Sequence, residues 1–445
     1  MRSFFIFLSL FLLSFQQSKS QNIDYAREVL NILCSENFHG RGYAMGGAEK
    51  TSEYIKKELK KQHLKKFDKS YFQTFKIHVN TFSGNNFLSI NNKKLIPGID
   101  FLISSSSDSL SGNFSLKVIN AALINAPEKF KKFIISDFSD KVILIDTFGL
   151  NSQSFNNAYQ LITERNILRA KAIIKVTREK LIYVPSQIRK SFPLIILRET
   201  SLPENPTEVT IDIDSKYYSA FETKNIIAYI KGKIDTSIVF AAHYDHLGTM
   251  GKSIFFPGAN DDGSGVASLL TLAKYFSKQK NPKYNIVFMF FSGEELGMLG
   301  SYFYTEHPIF PLSKIKFLIN LDMVGSGDKG ITVVNGSVFK DRFNQLVEIN
   351  DKNNYLPAIK IRGKAANSDH YFFFEKGVPS FFIYTLGKYK EYHNIFDTPE
   401  RLPLSKFEGL MHLLIDFTET ITNPPKNAKK INIEKSYLPT VQRKN

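Results

Sequence analysis

The sequence predicts an α/β fold, with a mixed, largely parallel central sheet covered by helices on both faces and an inserted β-rich lobe. Three observations carry this. From Lys224 onward, short apolar runs alternate with helical patterns. Strands are expected at 226–230, 238–243, 286–291, 317–322 and 380–384, and helices at 264–277, 295–306, 340–350 and 404–420. Strands that alternate with helices at this spacing build an open sheet with both faces covered. Acidic residues and histidines then recur at the ends of those strands, the edge where such sheets hold ligands. Between about Ile96 and Pro206 the texture changes to strand-like runs at 118–124, 142–145, 172–176 and 194–197, with a helix around 156–165.

Taken in order, the chain opens with Met1-Arg2, an apolar stretch from Phe4 to Phe15 and the small-residue exit Ser18-Lys19-Ser20. A basic start, a short apolar core and a small-x-small exit describe a secretory leader over residues 1–20. This sets the expectation of an exported protein, periplasmic or extracellular, with no stable membrane anchor. Residues 21–95 read as the first part of the main domain: helices flank His39-Gly40-Arg41-Gly42, and the second carries Tyr54, Ile55, Leu59 and Leu64 on one side. The inserted lobe is expected at 96–206, entered through Ser104 to Ser107 and left through Pro203-Glu204-Asn205-Pro206. The main domain resumes over 207–425, and 426–445 is a tail.

Cys34 is the single cysteine, so no intrachain disulfide exists, and it reads as a small buried hydrophobe. The formal charge of +16 raises the question of nucleic acid. The lysines are scattered in pairs such as Lys56-Lys57 and Lys60-Lys61, and no nucleic-acid module accompanies them. A solvated basic surface is therefore expected, with no nucleic-acid partner.

The chemistry lies in five blocks. His243 and Asp245 end one strand in Ala242-His243-Tyr244-Asp245-His246. Asp261 precedes a helix in Asn260-Asp261-Asp262-Gly263-Ser264-Gly265. Glu294 and Glu295 follow a strand in Ser292-Gly293-Glu294-Glu295, Asp322 ends another in Asn320-Leu321-Asp322-Met323, and His393 lies in the late loop Tyr392-His393-Asn394. One such residue is usually a cap. Five sites on one edge are not, because packed carboxylates repel and raise one another's pKa. Divalent cations relieve that repulsion, and imidazole with carboxylate suits zinc better than magnesium or calcium.

These blocks resemble the di-zinc aminopeptidase family, which also includes glutamate carboxypeptidases, transferrin receptors and glutaminyl cyclases. The likeness runs from about Ile226 to Leu402 and takes in Ser368-Asp369-His370, Gly377-Val378-Pro379 and Asp397-Thr398-Pro399-Glu400. The inserted lobe resembles a protease-associated domain. The resemblance implies two zinc ions per chain: Asp261 bridges them, His243 and Asp322 complete one site, and Glu295 and His393 complete the other. It implies that Glu294 takes the proton from the attacking water, that Asp245 hydrogen-bonds the far nitrogen of His243, and that Tyr392 stabilises an oxyanion. It also implies a cis peptide at Asp261-Asp262. Peptides with free amino termini are the implied substrates. Carboxypeptidase or glutaminyl cyclase action on the same scaffold, and a non-catalytic binding protein, are the alternatives; the full ligand set favours the two-metal hydrolase. By the same reading His246 packs or caps locally, Asp369 and His370 support the pocket wall, and Arg41 orients substrate or makes a structural ion pair.

Overall fold

The computed structural model describes residues 22–148, 153–252 and 254–422. The expected leader at 1–20 and tail at 426–445 lie outside the described residues. Among those described, a nine-stranded sheet runs in the order Lys65–Lys66, Lys216–Ile230, Tyr284–Phe291, Ile234–His243, Ile315–Leu321, Ser380–Thr385, Ile331–Val334 and Ile359–Ile361, with Phe72–Thr81 paired to Lys216–Ile230. Its centre is parallel: Ile234–His243 pairs with both Tyr284–Phe291 and Ile315–Leu321, and the latter pairs with Ser380–Thr385. The flanks are antiparallel, at Lys216–Ile230 and at Ile331–Val334.

The central strands are apolar without interruption because both faces are covered. In Ile234–His243, side chains alternate between two cores: Ile238, Phe240 and Ala242 enter one, and Val239 and Ala241 the other. The first core is closed by residues 22–33, which are helical, and by Gly47–Lys61, Ser264–Phe276, Lys340–Asn353 and Phe407–Thr422. The second is closed by Tyr304 from Leu299–Glu306 and Phe373 from His370–Glu375.

A second, eight-stranded sheet spans residues 86–213. It is wider than the expected lobe because Asn86–Ile90 pairs with Glu208–Ile213, which in turn pairs with Leu110–Ile119. Four of its strands, Leu110–Ile119, Val142–Ile145, Ala172–Thr177 and Leu194–Arg198, run parallel, with Pro127–Ile134 and Gln153–Arg165 as connecting helices. The lobe is thus itself α/β. Its core also takes in Leu247, Met250 and Phe256 from the main domain.

The expected helix at 295–306 begins later, at Leu299. Gly297 and Met298 take positive φ, and both of their amides donate to the Glu294 carbonyl at 2.8 Å. This closed turn leaves Glu294 and Glu295 in a loop, free to aim in different directions.

Candidate metal centre

Parallel strands end on one edge, and that topology gathers the predicted residues. His243 is the last residue of its strand, its neighbour across the ladder being Phe291. Glu294 and Glu295 follow Phe291, and Asp322 follows Leu321. Asp261 lies in the turn before the helix Ser264–Phe276, and the Asp261–Asp262 peptide is cis, as the resemblance implies. His393 comes from the loop after Ser380–Thr385 and has φ of 50°.

All five expected ligands converge. His243 Nε2 lies 3.2 Å from Asp261 Oδ1 and 3.7 Å from Asp322 Oδ1. His393 Nε2 lies 3.0 Å from Asp261 Oδ2 and 3.1 Å from Glu295 Oε2. Asp261 therefore presents one oxygen to each histidine, the arrangement a bridging carboxylate requires. Nitrogen and oxygen lone pairs aimed at common points, in a buried pocket, fit a pair of divalent cations. Asp262, which was not an expected ligand, also falls within 4.8 Å of His243 and Asp322. Its Oδ1, however, is occupied by the Gly265 and Met323 amides at 2.8 and 3.2 Å, so its work is to shape the turn.

Glu294 differs from its neighbour. Its side chain is 16% exposed, against 3% for Glu295, and its Oε2 lies 3.9 Å from His243 Nε2. The carboxylate open to solvent is the one available to a reacting water. Burial, with Asp322, Asp369 and Glu295 nearby, raises its pKa well above the ordinary value against the pull of His243. Tyr392 is 42% exposed and its ring stacks on that of His393, with centroids 3.8 Å apart.

Asp245 does not contact His243 as expected. His243 Nδ1 is 3.1 Å from the Asp245 main-chain carbonyl and 3.8 Å from its carboxylate. The carboxylate accepts instead from the Tyr43 hydroxyl at 2.6 Å and from the Glu294 and Glu295 amides at 3.2 and 3.4 Å. It thereby locks the loop that carries both glutamates.

Several residues singled out in the sequence make supporting contacts that the sequence does not reveal. His246 is fully buried and its Nδ1 meets Glu295 Oε1 at 2.7 Å, so it aims a ligand as well as packing. Asp397 accepts from the Asn260 and Asp261 amides and from the Tyr389 hydroxyl, fixing the bridging turn. Ser368 donates to Asp322 Oδ2 at 2.7 Å, while burial pushes Asp369 up to about 7. Arg41 neither orients substrate nor makes an ion pair. Fully buried, it donates to the carbonyls of Tyr244, Pro257, Gly258 and Asp261, and buried Cys34 touches it at 3.8 Å.

The histidines are strongly perturbed without metal. Burial disfavours their charged forms, but Glu294, Asp261 and Asp322 outweigh it at His243 and raise its pKa well above 6.5. At His393, Glu295 and Asp261 likewise overcome burial and push it up to about 11. Both shifts favour the protonated rings, whereas a metal needs the neutral imidazole. Metal binding is therefore expected to release protons at pH 7, and affinity is expected to rise with pH across the neutral range. Calorimetric titration in buffers of different ionisation enthalpy measures this directly; an enthalpy independent of buffer would contradict it.

The model of peptidase family M28 matches residues 225–418. A vacuolar membrane protease of Lodderomyces elongisporus is 39% identical over 26% of this chain and 12% of its own length. Another, from Candida dubliniensis, is 28% identical over 51% of this chain and 25% of its own length. The chain thus spans a quarter or less of these relatives. The structure of BSAP, a zinc aminopeptidase from Bacillus subtilis, superposes with a TM-score of 0.66 at 21% identity, covering 91% of this chain and 96% of that one. The fold is shared along nearly the whole length. The expectation of an exported protein, periplasmic or extracellular, is contradicted by these relatives, which are vacuolar membrane proteases. Among the described residues no helix is long and apolar enough to cross a membrane.

Proposed function

We infer that this chain, which the model of peptidase family M28 matches over residues 225–418, is a zinc-dependent aminopeptidase acting on peptides with free amino termini. The observation that carries this reading is Asp261, whose two oxygens face two separate histidine–carboxylate pairs. His243 and Asp322 would hold one zinc ion, Glu295 and His393 the other, with Asp261 between them. Two zinc ions, when bound, acidify a shared water and polarise the scissile carbonyl. Glu294, more open than Glu295 and free of the ligand set, takes the proton from the attacking water and returns it to the leaving amine. Asp245 holds the loop from which Glu294 projects, and Tyr392, at the mouth of the site, donates its hydroxyl to the oxygen that gains charge.

The residues around this chemistry supply rigidity: Ser368, His246 and Asp397 each hold a ligand or its turn in place. The lobe over residues 86–213 is read as a protease-associated-like domain inserted into the peptidase.

The test combines zinc content with hydrolysis of a panel of aminoacyl amides. Two zinc per chain and cleavage confined to free-amine substrates are the expected results. One zinc with cyclisation of amino-terminal glutaminyl peptides would assign the scaffold to cyclase chemistry. No zinc and no turnover would make it a binding protein.

A further inference from the structure

We propose that residues 179–190, a strap contributed by the inserted lobe, form the wall that reads the residues of a peptide substrate beyond the first, and that Ile182 and Val184 select apolar side chains there. The proposal rests on the aminopeptidase reading and adds to it the class of peptide preferred.

The strap is fastened to both loops that carry ligands of one metal. The Tyr183 amide donates to the His393 carbonyl at 3.0 Å, and Gln187 Nε2 donates to the Leu296 carbonyl at 2.6 Å. His393 and Glu295, the residue before Leu296, stand 3.1 Å apart at the candidate centre. Lys180 lies 3.8 Å from Glu391, two residues before His393, and the Asn80 amide holds the Ser186 carbonyl at 3.0 Å. A segment tied at these points lies beside the site without being part of the ligand set.

Its side chains divide into two sets. Leu181 and Tyr183 are each 4% exposed and buried in the lobe core, where the Tyr183 ring stacks on Phe256. Ile182 and Val184, between and beyond them, are 48% and 55% exposed, and Ile188 is 61% exposed. Single exposed aliphatics are ordinary. Three within seven residues, fastened beside a candidate active site, are a patch that calls for an occupant. These three line a cavity of about 320 Å³ together with Ser104 to Ser106, and the Lys190–Glu164 ion pair adds a polar boundary. An apolar wall with a few polar groups is the usual character of a binding pocket.

The occupant follows from distance. An extended peptide advances roughly 3.3 Å per residue. A peptide with its first bond at the metals and its chain running toward the strap would bring its second and third residues to the backbone of His393, to which the Tyr183 amide is tied. The segment best placed to cover Ile182 and Val184 is therefore the substrate itself, downstream of the bond that is cut. Cleavage would then favour peptides with apolar second and third residues, whereas a bare aminoacyl amide would not sense the strap.

The experiment compares the full-length wild-type protein with the double variant Ile182→Ser, Val184→Ser. The substrates are the aminoacyl amide cleaved fastest and tetrapeptides with the same first residue, carrying either Leu or Asp at positions two and three. Wild type is expected to prefer the Leu peptide in kcat/KM by tenfold or more, since one apolar contact is worth about that much. The variant is expected to lose about tenfold on the Leu peptide and to keep wild-type activity on the amide. Unchanged discrimination in the variant, or an equal loss on amide and peptide, overturns the proposal. Failure of wild type to cleave any amide would overturn the aminopeptidase reading itself, and this role for the strap with it.

Discussion

Glu294→Gln is expected to lower kcat by about 10²–10⁴-fold while leaving zinc content unchanged, because on the proposed mechanism it removes a general base and no ligand. The geometry separates the two adjacent glutamates. Glu295 is held by His246 and His393 at 2.7 and 3.1 Å, and its pKa is held down to about 2 even though burial and Asp261 oppose this. It is an anion committed to a cation site. Glu294 makes no such contacts, is more open and has its pKa raised. A carboxylate with a raised pKa is a better proton acceptor, and bound cations would bring it back toward the range in which it is ionised at pH 7. Gln keeps the size and removes the basicity. The same substitution at Glu295 should instead lower zinc occupancy along with rate. The pair is checked by kcat and metal analysis on the same preparations. Loss of zinc from Glu294→Gln, or full activity in it, would remove Glu294 from the proton-transfer role.

The parts of this site that sequence made legible are those fixed by local pattern. A ligand at the end of an apolar run falls at the carboxyl edge of the sheet whatever the rest of the chain does, which is why His243, Glu295 and Asp322 could be placed before their neighbours were known. The supports were less legible because they depend on distant backbone. Nothing in Tyr43, Asp397 or His246 marks them as partners of Asp245, the bridging turn and Glu295; each is an ordinary residue until folding brings it close. Asp245 shows the limit most clearly: its spacing from His243 was right, yet its carboxylate serves the glutamate loop. The lobe boundary missed for a similar reason, since the Asn86–Ile90 strand belongs to its sheet only through pairing with Glu208–Ile213, more than a hundred residues later. Compartment lay further still from the residues: the expectation of export rested on the opening pattern alone, and the relatives that contradict it are vacuolar membrane proteases.

Arg41 is the hidden support with the largest expected consequence. Its guanidinium meets the Tyr244 carbonyl at 3.0 Å, Pro257 at 2.5 Å, Gly258 at 2.8 Å and Asp261 at 2.9 Å. It therefore ties the His243-Tyr244-Asp245 strand end to the turn that presents Asp261. A methyl group on Gly258 would lie only 2.6 Å from Arg41 Nη2, so the turn closes directly onto the guanidinium. Arg41→Met removes a donor from four buried carbonyls, of which Gly258 keeps the Gly263 amide at 3.1 Å. At roughly 1–3 kcal/mol for each group left unsatisfied, even partial rehydration leaves a loss on the order of 4 kcal/mol. Thermal unfolding of the metal-free protein is expected to show a clear fall in Tm. Zinc affinity is expected to drop about 10–100-fold, the usual consequence of losing a group that orients ligands. Arg41→Lys separates charge from shape: a compact ammonium restores the positive charge but cannot span carbonyls from two segments as the planar fork does. Lys is therefore expected to recover part of the stability and little of the zinc affinity. Wild-type zinc affinity in a folded Arg41→Met protein would show that the metal turn holds its shape without this residue.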